Sequence, residues 1–142
     1  MRYKNISVLF YVSIILVLVS CSEKEVKKVS DDSKIAHEAF KLTDTLKKAY
    51  IENDRGTLKE NSTEEAFSEI FGSIKPFDNA ELIFTPTWVE IQGSTVSVTI
   101  SWKGTWKWEE KITEERGLAV FVFEGRPLKL IKIKRENPFS YP

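Results

Sequence analysis

Few side chains in this sequence are equipped for chemistry. Cys21 is the one thiol and His37 the one imidazole among 142 residues. A single cysteine cannot close an internal disulfide, and a lone histidine cannot complete a His- or Cys-rich metal site, so neither a metal nor another cofactor is expected. A Ser-His-acid triad would have to run through His37. The sequence contains no glycine-rich phosphate loop, no Cys-x-x-Cys, no His-Glu-x-x-His and no Gly-x-Ser-x-Gly. Nucleotide, redox, zinc and hydrolase chemistry therefore lack their starting residues. No catalytic residue is assigned.

The position of the cysteine is informative. Met1 to Asn5 carries Arg2 and Lys4 and no acid, and Ile6 to Val19 follows with only Ser7 and Ser13 polar. These are the basic and apolar regions of a secretory signal. A membrane-spanning helix needs roughly 20 apolar residues, and the charged tract from Glu23 to Lys28 arrives too early for that. The run closes on Leu18-Val19-Ser20-Cys21, which resembles the lipobox of bacterial lipoprotein precursors. The resemblance implies cleavage after residue 20 and two or three acyl chains on Cys21. One chain holds a protein only marginally, because each buried methylene contributes about 0.8 kcal/mol. The implied partner is a lipid bilayer. Ser22 after the cysteine favours the outer membrane in a diderm cell; otherwise the address is the outer face of the cytoplasmic membrane.

Residues 1–20 are thus read as a leader and 21–32 as a lipidated tether. Ser22 to Asp32 holds two apolar residues, Val26 and Val29, too little to offset chain entropy. Helical spacing starts at Ser33, with Asp32 or Ser33 as cap and Ile35, Ala39, Leu42, Leu46 and Ala49 as the apolar stripe. His37 falls off that stripe and is expected at the surface. Asn53-Asp54-Arg55-Gly56 breaks the helix, with Asp54 capping a short turn. Ser62-Thr63-Glu64-Glu65 has the form of a capping box opening a further helix that stops at Gly72.

Beyond Pro76 the period falls to two. Glu81 to Phe84 and Trp88 to Ile91 read as one strand kinked at Pro86, which belongs at a sheet edge. Val96, Val98, Ile100, Trp102, Gly104, Trp106 and Trp108 alternate with polar residues in one long strand, where Gly104 can bend or bulge it. Glu109 to Arg116 reads as a charged connection. Leu118 to Glu124 and Leu128 to Arg135 form the last pair, with a phase slip at Leu130-Ile131 that indicates a bulge. Residues 136–142 read as a C-terminal tail.

Helices followed by about four antiparallel strands make an α+β fold, in which N-terminal helices pack on a curved sheet as a cone or roll. This order, the break at Asn53 to Gly56, the strand with Trp102, Gly104 and Trp106, and the closing strand pair resemble the nuclear transport factor 2-like superfamily. The resemblance covers 33–135 and implies a cone that holds a small apolar molecule or a protein partner. Its candidate lining is Tyr50, Trp88, Trp102, Trp106, Phe121 and Phe123, with Trp102 and Trp106 the best placed. It also implies a homodimer through the open sheet face. Leu118 to Phe123 supports that independently, since it is apolar on both faces while helices can cover only one.

Isomerases and dehydratases resembling this fold place carboxylates beside a Tyr or His inside the cone. Here Tyr50 and His37 lie on the first helix, but every inward position from Val96 to Trp108 is apolar or glycine. A non-enzymatic binding or interaction module is therefore expected, with an isomerase- or dehydratase-type enzyme as the alternative. Basic and acidic side chains balance at 21 each. No nucleic-acid partner is expected, because that affinity comes mainly from neutralising phosphates.

Overall fold

The structure, a computed structural model, describes residues 30–142. The leader, Cys21 and the tether up to residue 29 lie outside the described residues. No helix among the described residues is long and apolar enough to cross a membrane.

Helix α1 (Asp31–Ile51) starts two residues earlier than the spacing indicates. The Ser30 hydroxyl accepts from Ser33 N at 3.2 Å, and Asp31 and Asp32 occupy the first turn. Carboxylates are favoured there by the unpaired N–H groups of the helix end. The acid pair assigned to the tether is therefore the beginning of the helix. Ala39, Leu42, Leu46 and Ala49 are buried along one face, and His37 is exposed. After Asn53, which takes a positive φ of 54°, the Asp54 carboxylate caps α2 (Arg55–Glu60) by accepting from Thr57 N at 3.1 Å.

Helix α3 (Glu64–Ser73) is capped by Thr63, whose hydroxyl accepts from Ala66 N at 3.3 Å. Ser62, the expected cap, is instead buried, and its hydroxyl has no hydrogen-bond partner. Strand pairing decides between them: Thr63 N donates to Leu130 O at 2.8 Å and Leu130 N to Asn61 O at 2.9 Å, which turns Ser62 inward. The helix also runs through Gly72 to Ser73.

The strands β1 (Asn79–Gln92), β2 (Thr95–Trp108), β3 (Lys111–Glu124) and β4 (Lys129–Arg135) form one antiparallel sheet in sequence order. Pro86 lies in the edge strand β1, where a missing N–H costs no central ladder bond. Its neighbours pair as Pro86 with Ile100 and Trp88 with Thr99, so Thr87 is an inserted residue. The β4 slip is equally clear: Phe123 pairs with Leu130 and Val122 with Lys132, leaving Ile131 as the bulge.

The charged connection Glu109 to Arg116 is corrected by the structure. Only Glu109 and Glu110 form the turn, and 111–116 pairs with 103–108 of β2 as regular strand. Its polar character reflects an exposed end of the ribbon. The turn places Glu109 at a φ of 53°, and Glu109 N donates to the Asp78 carboxylate at 2.6 Å.

Gly104 also does something other than bulge. Pairing runs unbroken from Leu82 through Gly104 to Glu115. A Cβ at Gly104 would collide with the Trp106 indole and come within 2.8 Å of Leu82 Cδ2. The glycine makes room for the indole to lie flat over its own strand. Replacing it with alanine overpacks this region, and a loss of about 1–3 kcal/mol is expected in urea unfolding. Gly72→Ala is the contrasting control. It meets nothing within 4 Å inside α3 and should stabilise by about 0.5–1 kcal/mol. Equal effects of the two would contradict the close approach of Trp106.

Candidate functional site

The interior of the roll is built from alternate residues of the strands facing α1. One row holds Phe84, Trp102 and Gly117, the next Leu82 and Gly104, beyond which Glu115 is exposed, and the next Ala80, Trp106 and Thr113. Toward the other end, Val98 pairs with Phe121 and Val96 with Phe123. Tyr50 enters from the carboxyl end of α1. Tyr50, Trp102, Trp106, Phe121 and Phe123 are all buried to 1% exposure or less, so five of the six candidate lining residues do share this interior.

Trp88 does not. The extra residue Thr87 reverses the parity of β1, and Trp88 emerges on the outer face with 67% of its surface exposed. With Phe40 and Pro86 it borders a shallow cleft of about 300 Å³ at the sheet edge. A cleft of about 440 Å³ lies on the outer face around Lys103, Glu114 and Arg116. Another, of about 340 Å³, lies between the Gly93 and Gly125 turns and the start of α1. None of these three reaches Tyr50 or the two buried indoles.

The space beside those indoles is filled by the segment assigned to a tail. After β4 the chain turns back, makes a short 3-10 turn at Pro138–Ser140, and inserts Phe139 completely. The Phe139 ring stacks on Tyr50 at 4.8 Å between centroids and meets Phe121 edge-on at 5.8 Å. Tyr141 lies over Trp102 at 5.3 Å and Trp106 at 5.7 Å. Residues 136–142 thus belong to the packed domain. Their signal in the sequence was composition, since two aromatic residues in so short a stretch are unlike a disordered tail.

The polar groups of Tyr50, Trp102 and Trp106 are all paired. Trp106 Nε1 donates to the Tyr50 hydroxyl at 2.8 Å, and that hydroxyl donates to Tyr141 O at 2.7 Å. Trp102 Nε1 donates to Glu136 O at 3.0 Å. The Glu136 carboxylate accepts from Leu118 N at 3.0 Å and occupies the space that a side chain at Gly117 would need. Burial pushes the Tyr50 phenol up to about 12, against a smaller opposing effect of the Trp106 hydrogen bond. Tyr50 therefore stays neutral and able to donate throughout the physiological range. Among the described residues, the buried polar or charged side chains besides the aromatic donors are Thr43 and Ser62, and no carboxylate or imidazole lies within. Nor does any group of His, Cys, Asp and Glu among them suit a metal ion.

A phenol whose proton is held more tightly in the folded state loses its advantage in alkali. The unfolded chain gives up this proton near pH 10 while the folded chain keeps it to about 12, so stability falls between those values by up to about 3 kcal/mol. Tyr50→Phe should lower stability at pH 8, by stranding Trp106 Nε1 and Tyr141 O, and should flatten the alkaline decline. Urea unfolding at pH 8, 10 and 11 measures both effects. An unchanged alkaline slope in the variant would contradict the assignment to Tyr50.

No family model matches the sequence, and no curated protein matches it. Among solved structures, the fold is similar to that of a nuclear transport factor 2 (NTF2-like) superfamily protein from Salmonella enterica subsp. enterica serovar Typhimurium str. LT2. The two share 12% sequence identity with a TM-score of 0.59, over 75% of this chain and 93% of the other. At that identity the likeness concerns architecture: helices packed on a curved four-stranded antiparallel sheet, the α+β fold of NTF2-like proteins.

Proposed function

We propose that this chain is a bacterial lipoprotein, acylated on Cys21, that presents a non-enzymatic interaction module at a membrane surface. The lipobox Leu18 to Cys21 behind its apolar run supports the anchor. The observation that carries the non-enzymatic part is the filled interior. Isomerase or dehydratase chemistry would need an acid beside Tyr50, and that place is taken by aromatic rings and main-chain carbonyls of the chain itself. Residues 22–29, even fully extended, span at most about 30 Å. The domain would therefore work close to the bilayer.

The outer sheet face supports the interaction reading. Ile83, Trp88 and Leu118 are 54%, 67% and 42% exposed there, with Val120 opposite Thr99 between β1 and β4. Ser101 and Thr99 of β2 separate the apolar side chains. Ile83 lies opposite Lys103, and Arg116 and Lys134 flank Leu118 and Val120, so this is a small apolar patch with a charged rim. Such a surface suits an isologous contact with a second copy.

Two measurements test these readings separately. Cys21→Ala should leave the chain unprocessed or soluble in fractionated cells; mature size with full membrane partition in that variant would refute the anchor. Sedimentation of the non-acylated chain at tens of micromolar should show a dimer, and Leu118→Asp should return it to a monomer with unchanged circular dichroism. A monomer in both cases removes the homodimer.

A further inference from the structure

The manner in which residues 136–142 are held is that of a bound peptide. Trp102 Nε1, the Tyr50 hydroxyl and Lys75 Nζ donate to Glu136 O at 3.0 Å, Tyr141 O at 2.7 Å and Pro142 O at 2.7 Å. The first two are side-chain donors reading main-chain carbonyls, which any peptide possesses, and Lys75 reaches an oxygen of the last residue. Selectivity comes from two seats for alternate side chains. Phe139 is enclosed by Tyr50, Phe84 and Phe121, and Tyr141 lies across the two indoles. Main-chain bonds for affinity with pockets for alternate residues are the usual division of labour in peptide recognition. The segment is also loosely tied to the rest of the backbone. Among the described residues, its main-chain bond to another element is Glu136 N to Leu118 O at 3.1 Å, and its own Ser140 N turns back to Asn137 O.

We propose that the interior of the roll is a peptide-binding groove, occupied in cis by residues 136–142. Its external ligand is a segment of another protein that takes the same short turn and carries two aromatic side chains separated by one residue. The inference deepens the interaction-module reading and is independent of the anchor and of the sheet-face contact. The cis segment acts as a resident competitor. A short connection gives it an effective concentration on the order of millimolar, so an external peptide must outcompete it to enter. Tyr50, Trp102 and Lys75 keep their hydrogen-bond partners throughout, because the incoming carbonyls replace the outgoing ones. The exchange avoids the cost of leaving buried donors unpaired.

The test uses the full chain, a double variant F139A/Y141A, and a fluorescein-labelled synthetic peptide with the sequence of residues 136–142. Anisotropy should show the peptide binding the double variant at least tenfold more tightly than the intact chain, with binding to the intact chain still measurable at millimolar peptide. A control peptide carrying alanine at both aromatic positions should bind neither. Should the double variant lose its sheet signal in circular dichroism, added wild-type peptide is expected to restore it. Absence of binding to the double variant, whether folded or not, overturns the proposal. So does binding to the variant with none to the intact chain, which would make the segment a permanent part of the core. Equal binding of the control peptide overturns the aromatic specificity. None of these outcomes bears on membrane partition or on dimer formation, which stand or fall by their own measurements.

Discussion

One hydroxyl group holds the interior together. The Tyr50 phenol accepts from Trp106 of β2 and donates to the main chain at Tyr141, joining the end of the first helix, the central strand and the last segment at a single oxygen. Removing any member leaves a buried donor or acceptor unpaired, at about 1–3 kcal/mol each. The arrangement also fixes the large rings, since Trp106 can reach the phenol only by lying over Gly104, and Phe139 stacks on the same tyrosine. Helix, sheet and closing segment therefore meet at one point. The space that could have been a pocket in this architecture is filled by the chain's own residues.

Most of the architecture was legible because buried faces impose periodicity. Strict alternation from Thr95 to Trp108 gave β2 and its inward face, and the slip at Leu130-Ile131 marked a real bulge. What escaped had physical causes that local pattern does not carry. The cap of the third helix moved from Ser62 to Thr63 because β4 pairs with the loop before it. The turn after β2 was hidden because Glu109 takes a left-handed backbone conformation that glycine or asparagine usually signals. Charged residues 111–116 looked like a loop because their part of the ribbon is exposed.

The aromatic site was legible to the same extent and for the same reason. Tyr50, Trp102, Trp106, Phe121 and Phe123 follow from helix and strand phase. Trp88 was misplaced because one inserted residue, Thr87, inverts the faces of everything after it in β1. The same irregularity has a use: with Pro86, it interrupts the free edge of a long strand, which would otherwise invite pairing with other sheets. On the opposite side the loop before the third helix bonds to Leu130 and covers part of the β4 edge. With both edges guarded, the outer face, with its apolar patch around Trp88 and Leu118, is left as the sheet's open surface.

The closing segment also has a consequence for biogenesis. Tyr50 finds its partner carbonyl 91 residues further along, in a stretch that a ribosome makes only after all four strands. Until that stretch emerges, two indole N–H groups and a phenol lack their final environment, and the aromatic interior stays open to water. A nascent chain therefore cannot lock into its finished shape early. Native contacts at such long separation delay the last folding step, which suits any export route that accepts only unfolded polypeptide.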